Sequence, residues 1–516
     1  MRRRSQFAKL FFTIVLQINP IKFTITMPIF IFRMLYFKSH VMTRSAILNK
    51  NSILKKYHGL YSSKLALAAV EAAISGVEPV KLISNAVSWN KGKLIVSDIK
   101  NKTLRYDLAN YDRFYIVGAG KASVPMAEGL IKVLQKGRNN SPQICGSIIT
   151  PYGTSKKIHE LEVIEAGHPL PDSNSVKGTE RIIKKLRRAK PSDLVFVLLS
   201  GGGSALMSLP LRGITLADKR YVTQSLLESG ATIQDLNVVR KHLSKVKGGK
   251  LIRFSPSSTT FLTLLISDVI GDGIQTIASG PTFPNYATFV DAKRILLKYD
   301  IWNANNLHLK RIRQAITEGI KLEGDHRQDT TKFHRRTEYA IIGNNAMACE
   351  AASHYLRSKK IDTLVLGSHF DGDAAKHGEW LSLLANGMKS LSRPFAIVLG
   401  GETTVRLSKQ GKNGTGGRNQ EAALHALLSL EHSSGQDLSI CCVGTDGIDG
   451  NSTAAGAMVT STMVNHNRLD KKEQLWKYLD GHDSSTAFKR LGSLIITGKT
   501  LTNVNDVNVI CRANKK

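Results

Sequence analysis

A chain of 516 residues, 42% hydrophobic and 22% charged, is too long for one ordinary core and too apolar for a disordered polymer, so two or three globular domains are expected. Its 72 Lys and Arg exceed its 40 Asp and Glu by 32, yet twelve of the basic residues precede Glu71 and the rest are spread along the chain. With no arginine-rich helix, zinc-finger spacing or aromatic RNA-binding motif, this excludes a dedicated nucleic-acid reader and fits a surface that attracts small anions.

The first 45 residues begin with Arg2, Arg3 and Arg4 ahead of LFFTIVLQI, and Pro20, Lys22 and Pro28 then break the apolar character of the segment. No 18-residue apolar run survives, so stable membrane insertion is not expected. The basic, acid-free stretch before Glu71 fits a mitochondrial presequence, the alternatives being a secretory signal without a clear cleavage site, a mis-set start with translation beginning near Met42, or a cytoplasmic disordered tail. The five cysteines, Cys145, Cys349, Cys441, Cys442 and Cys511, show no CxxC spacing. They read as reduced core thiols in an intracellular compartment rather than a zinc site.

Helical apolar spacing in KLALAAVEAAISGVEPVKLISNAVSW starts the folded part near Leu60. Strands and helices then alternate, as in a mostly parallel sheet with crossover helices, which gives a first domain over 60–295. Residues 296–337 are polar, basic and poor in strand formers, and read as a connector: a surface helix, then a flexible excursion in DHRQDTTKFHRR. Alternation resumes over 338–516, a second α/β domain.

Seven apolar runs stop at glycine-rich turns: FYIVGAGKAS, VFVLLSGGGSAL, TLLISDVIGDG, YAIIGNNA, FAIVLGGETT, ICCVGTDGIDG and LIITGKT. Glycine lets backbone N–H groups approach a ligand, and a helix starting after the turn adds its positive end, so such turns bind anions. Gly118 and Gly120 of the first are followed by Ser123, so the third glycine of a dinucleotide fingerprint is missing, while Lys121 supplies a fixed charge. The GKT at Gly498 fails the Walker spacing, since Gly492 lies one position too far upstream. Ser200, Gly201, Gly202, Gly203 and Ser204 form the sharpest anion cradle, and Gly401, Glu402 and Thr403 another candidate turn.

In LNVVRKHLSKVKGGKL an apolar stripe of Leu236, Val239, Leu243 and Val246 puts Asn237, Lys241 and Ser244 on another face, with Arg240 and Lys247 on a shared side and Gly248 and Gly249 as the cap. A solvated charged face is the competing explanation. Asp268 and Asp272, like Asp446 and Asp449, follow strands directly and suit magnesium, a hydroxyl-proton acceptor or a plain Asx turn. Asp371, Asp373 and His377 of DGDAAKHGE sit at a helix start and read as capping residues. Arg418, between glycines and a helix that Asn419 can cap, can clamp phosphate or carboxylate bidentately.

As an ordered set, GAGKAS, GHPLPDSNS, SGGGSAL, LNVVRKHLSKVKGGKL, SDVIGDG, IASGPTFP, GGETTV, GGRNQE, GTDGIDG and TNVNDV resemble the glycerate 2-kinases, the class II glycerate kinases with a C-terminal MOFRL domain, from about Ala66 to Ile510. The resemblance implies two α/β domains, the N-terminal one Rossmann-like, with the active site in the interdomain cleft. It also implies ATP-dependent phosphorylation of D-glycerate at the 2-hydroxyl with Mg2+, and Lys121, Arg418 and Asp446 as catalytic residues. The turn residues, together with Asn237, Arg240, Lys241 and Asn419, are the expected substrate or nucleotide contacts, with Asp268 on the metal and a homo-oligomer as a further possibility. Three positions depart from the family pattern: Lys499 and Leu501 stand for Pro and Gly in TGPTGTNV, and Thr453 for Asp in PTDAAGA. A nicotinamide-dependent hydroxypyruvate reductase and a catalytically impaired homologue are the rival readings.

Overall fold

The computed structural model describes residues 45–136, 143–325, 337–407, 413–431, 436–463 and 469–514. Residues 1–44 of the expected targeting segment, residues 326–336 of the DHRQDTTKFHRR excursion, and residues 408–412 before Arg418 fall outside them. Contacts divide the chain into two units, one of Gly76–Met347 with Leu501–Asn505 and one of the remaining residues.

In the first unit, β1 (Val87–Asn90), β2 (Lys93–Ser97) and β3 (Thr103–Asp107) form a small antiparallel sheet. The main sheet holds β4 (Arg113–Ala119), β5 (Gln143–Pro151), β6 (Leu161–Ala166), β7 (Asp193–Leu199), β8 (Thr260–Ile266) and β9 (Thr337–Gly343). Their spatial order is β6-β5-β4-β7-β8-β9, and every pairing is parallel. Continuous apolar runs such as DLVFVLL give strands covered on both faces, and all seven residues of β7 are buried. The chain starts in the middle at β4, builds outward through β5 and β6, then returns to the other side of β4 with β7. That reversal makes the β4/β7 boundary the topological switch point, where open α/β sheets hold ligands beyond their strand ends.

The second unit carries β10 (Asp362–Asp373), β11 (Phe395–Thr404), β12 (Asp437–Gly444), β13 (Gly456–Thr460), β14 (Leu494–Ile495) and β15 (Asp506–Ala513) in the order β10-β11-β15-β12-β13-β14. Only β10 and β11 pair in parallel. The helices Ala374–Met388 and Arg418–Ser429 pack their Leu and Ala residues over this sheet.

Three boundaries differ from the sequence expectation. Order begins before Leu60: Ile47 and Ile53 are buried, and the Asn49 side chain bonds Leu494 O and Ile496 N. The helix Tyr61–Gly76 lies almost wholly in the second unit, where Asp437 accepts from Tyr61 N and Ser62 N at 2.8 and 3.0 Å. The supposed connector is largely core. Helix Leu307–Asp325 buries Leu309, Ile312, Ala315 and Ile316 in the first unit, and Arg311 donates to both oxygens of Asp218 at 2.7 and 2.5 Å. Its many Lys and Arg hid a period-3.6 stripe that a composition reading averages away.

The segment Leu501–Asn505 is where the late chain rejoins the first unit. Leu501 holds φ +59° where the family pattern has glycine. That conformation costs a branched side chain about 1–2 kcal/mol, partly offset by the ~0.5–1 kcal/mol of chain entropy that glycine loses on folding. Leu501→Gly is therefore expected to raise unfolding free energy by about 0.5 kcal/mol and Leu501→Ile to lower it by about 1 kcal/mol. Urea titration of the pair checks this, and equal midpoints would contradict it.

Candidate active site

The parallel register brings the carboxyl ends of β4 and β7 side by side, so their two glycine turns meet. Lys121 N donates to Gly201 O at 2.8 Å and Ala122 N to Ser200 Oγ at 3.0 Å. A Cβ on Gly118 would lie 2.1 Å from Leu198 O, and one on Gly120 2.1 Å from Ser200 Oγ, so only glycine permits this approach. Where a dinucleotide fold has its third glycine, buried Ser123 donates to Gly120 O and Ile149 O at 2.8 and 3.1 Å. Gly202, at φ +81°, precedes a single helical turn, Gly203–Leu206.

Three residues that no strand-then-glycine rule could find complete this edge. The His168 ring covers Gly202, 2.7 Å from where a Cβ would stand. Asn505 Nδ2 donates to Asp268 O at 2.8 Å, and Asn503 Nδ2 reaches Asp268 Oδ2 at 3.5 Å. The Asp268 carboxylate therefore lies directly against the SGGGS turn, 2.6 Å from a Cβ on Gly201. The signal available in sequence was the polar TNVND run placed just before a buried strand, and the His-Pro dipeptide after β6.

The basic motif folds differently from its expected single helix. Ile233–His242 is helical, then the chain turns away because Leu211 N donates to Leu243 O and Lys245 N to Leu209 O. Gly248 and Gly249, expected as the cap, instead hold left-handed turns bonded to Ser279 O and Gly280 O. Lys247 is thereby buried, with Nζ donating to Ser204 O and Oγ at 2.7 and 2.9 Å, and Ser204 Oγ meets Ser279 Oγ at 2.9 Å. Asn237 is buried and its Oδ1 accepts from Ser279 Oγ at 3.1 Å. Burial drives the Lys219 amine down to about 7 and that of Lys250 to about 8, helped by neighbouring Arg240 at the first and Arg253 at the second.

Because unfolded lysine titrates near pH 10.4, the unfolded chain binds more protons than the native one from about pH 7 upward. Stability contributed by these amines therefore rises with pH through that window. The urea midpoint is expected to climb between about pH 7 and 9 in the absence of anions. A flat or falling profile would show that the amines keep ordinary basicity.

In the second unit, antiparallel β15 starts beside the ends of β11 and β12, so Asp506 faces Gly401 and Gly444. Arg418 opens the helix after Gly417, and its Nε and Nη2 donate to the two Asp506 oxygens at 2.6 and 3.0 Å, while Nη1 donates to Glu402 Oε1 at 2.8 Å. Three of its five N–H groups are thus engaged, the two carboxylates hold its pKa well above the usual range, and its side chain stays 31% exposed. Thr403 is buried at the end of β11.

Asn419 was expected to cap this helix. Instead Asp449, reaching in from the TDGIDG turn, accepts from Asn419 N and Gln420 N at 3.0 and 2.8 Å and from both side-chain amides at 3.2 and 2.9 Å. Asn419 Nδ2 also donates to Asp506 Oδ1 at 2.9 Å. Burial lifts the Asp449 carboxyl to about 6 against the pull of these donors. Asp446, half-buried, accepts from Ile448 N at 3.1 Å, and its turn is backed by the TGKT segment, where a Cβ on Gly447 would lie 1.9 Å from Gly498 O. Asp373 caps the next helix through Ala375 N and Lys376 N, as expected, and Thr453 is exposed.

Among the described residues no cluster of three His, Cys, Asp or Glu could hold a metal, and no helix is long and apolar enough to cross a membrane. All five cysteines are free.

A domain of unknown function, DUF4147, matches residues 65–314, and the MOFRL family matches 395–506. A glycerate 2-kinase of Pyrococcus horikoshii is 36% identical over 466 residues, covering 88% of this chain and 98% of its own. The chain belongs to the glycerate 2-kinase family. The crystal structure of a Thermotoga maritima glycerate kinase superposes on this family member with a TM-score of 0.69 at 34% identity, covering 87% of this chain and 99% of that one. An Agrobacterium vitis relative of this glycerate 2-kinase family chain carries the provisional name hydroxypyruvate reductase, at 38% identity over 77% of this chain and 87% of its own.

Proposed function

We propose that the protein transfers the γ-phosphoryl group of ATP to the 2-hydroxyl of D-glycerate, giving 2-phospho-D-glycerate and ADP. The observation that carries this reading is the meeting of two glycine turns at the β4/β7 switch point in a chain of this family. Phosphoryl transfer needs positioning and charge neutralisation more than covalent help. The SGGGS amides and Lys121 hold phosphate oxygens; Arg418, with two N–H groups left over, draws on charge developing at the transferring group. Asp446 takes the hydroxyl proton as the glycerate oxygen bonds to phosphorus and the bond to the ADP oxygen breaks.

Mg2+ takes one or two carboxylates together with phosphate oxygens, and Asp268, packed against the SGGGS turn, is chemically suited to hold it. When bound, the ion neutralises phosphate charge. Asp268 itself is fixed by the two amides of Asn503 and Asn505.

The test is ADP release with D-glycerate, coupled to an enzyme that consumes 2-phosphoglycerate but not the 3-isomer. No ADP above the acceptor-free rate sinks the proposal. The reductase reading, motivated by the Agrobacterium name, predicts loss of NADH or NADPH absorbance with hydroxypyruvate instead. Mitochondrial import is proposed from the basic N-terminal segment, and N-terminal sequencing of the mature protein tests it.

A further inference from the structure

Five cations converge in the first unit with almost nothing to oppose them. Lys219, Lys241 and Lys247 are 6%, 9% and 2% exposed, and Arg240 and Lys250 are half-buried. Their mutual influence is repulsive: Arg240 acts on Lys219 and Lys247, Lys241 on Lys247, and Lys250 on Lys219. The charged groups around them are few. Glu323 acts on Lys250 alone, alongside Arg253, while burial pushes the His242 imidazole down to about 4 against the pull of Val238 O and Ala287 O at its two ring nitrogens, with Asp291 beyond it.

The five fall into two layers. Lys219, Lys247 and Lys250 are tied to neutral oxygens: Lys219 Nζ to Ser208 Oγ at 3.1 Å, Lys250 Nζ to Lys241 O and Ser244 O at 2.9 and 2.7 Å, and Lys247 to Ser204. Arg240 and Lys241 differ. Among the described residues neither head group has a hydrogen-bond or ion-pair acceptor, although Lys241 is more than nine-tenths buried. Gathering like charge in a largely buried cluster without a counterion is costly, so a fold that collects five such basic groups, two of them with open head groups, is completed by an anion it does not itself supply. The supporting backbone is strained as well, with Ala278 and Ser279 at φ +50° and +60° beside the Ser204–Ser279–Asn237 chain.

The size of the charge selects the ligand. A monoanionic glycerate leaves most of five cations unmatched, whereas a triphosphate carries about four negative charges and several acceptor oxygens, its terminal phosphate alone contributing about 1.5 to 2 of them. We infer that the phosphate chain of the nucleotide docks on Arg240 and Lys241, with Lys219, Lys247 and Lys250 as a second layer of positive charge behind them. This rests on the kinase reading for the identity of the nucleotide, and it assigns ATP to the first unit.

Isothermal titration calorimetry of the full chain tests it with three probes: adenylyl-imidodiphosphate, inorganic tripolyphosphate and D-glycerate. Arg240→Gln and Lys241→Gln should each weaken the first two by about 10- to 100-fold, as loss of a charge-assisted contact does, and leave D-glycerate within about twofold. At pH 8, binding of the analogue should take up protons, read from its heat in buffers of different ionisation enthalpy, because the anion recharges amines such as Lys219 and Lys250. Lys219→Met, which removes a repelled charge and keeps the stem volume, should raise the melting midpoint yet still weaken tripolyphosphate at least about threefold. This variant covers the case in which the others fail to fold. Unchanged analogue affinity in folded variants, a loss confined to D-glycerate, or no binding of either phosphate probe to the wild type overturns the inference. Phosphate binding that depends on Lys241 without ADP release from D-glycerate would leave it standing and reject the kinase reading alone.

Discussion

Lys121→Ala is expected to lower kcat/KM for D-glycerate phosphorylation by about 10²- to 10³-fold, the loss typical of one electrostatic stabiliser at a transferring group, while the folded chain keeps its midpoint within about 0.5 kcal/mol. The separation of the two effects comes from the turn. The Lys121 backbone N–H is already bonded to Gly201 O, and the close packing with β7 belongs to Gly118 and Gly120, so truncating the side chain leaves the crossing of the turns intact. Arg418→Ala in the same assay gives a second loss. If both cations act on one transition state, the double variant should fall short of the product of the single losses by at least about tenfold. Strictly multiplicative losses would show that the two cations act independently, and a Lys121→Ala enzyme within a few-fold of wild type would remove Lys121 from the mechanism.

The largest stability effect is expected at Asp449. Its carboxylate collects four N–H bonds from Asn419 and Gln420 and closes the N-terminus of the Arg418 helix. Asp449→Ala leaves those buried donors unpaired and should cost about 3–5 kcal/mol, measured as a lowered urea midpoint. Asp449→Asn should cost less, since one amide oxygen still accepts. The native carboxyl binds its proton more tightly than the unfolded one, at about 6 against the ordinary 3.9, so its contribution is fully present below about pH 4 and declines as pH rises through 6. In the alanine variant that decline should vanish. A midpoint within about 1 kcal/mol of wild type would show that the helix is capped by other groups.

The first unit was the more legible in sequence. Strands β4 and β7 are unbroken apolar runs stopped by glycine, and the residues named at their ends, Lys121 and Ser200 to Ser204, do meet, because parallel strands put all their carboxyl ends on one edge. Asp268 joins them for the same reason. What stayed hidden is what arrives from elsewhere in the chain. Asn503 and Asn505 come from a stretch flanked by second-unit residues, and Asp506 reaches Arg418 only because β15 runs antiparallel between β11 and β12. No local pattern encodes such long-range pairing. Helical periodicity also misled at LNVVRKHLSKVKGGKL, where the bridge between Pro210 and Ser244 ended the helix that the apolar spacing continued.

β15, the last of the described strands, is an interior strand. Because β15 is flanked by β11 on one side and β12 on the other, the second sheet remains split into two fragments, each with a raw edge, until synthesis reaches residue 513. The pentapeptide that fixes Asp268 emerges only just before it. A message cut short by a stop codon before residue 506 would therefore yield no partly active product. It would yield a chain with two sticky edges, prone to self-association and removal by cellular proteases.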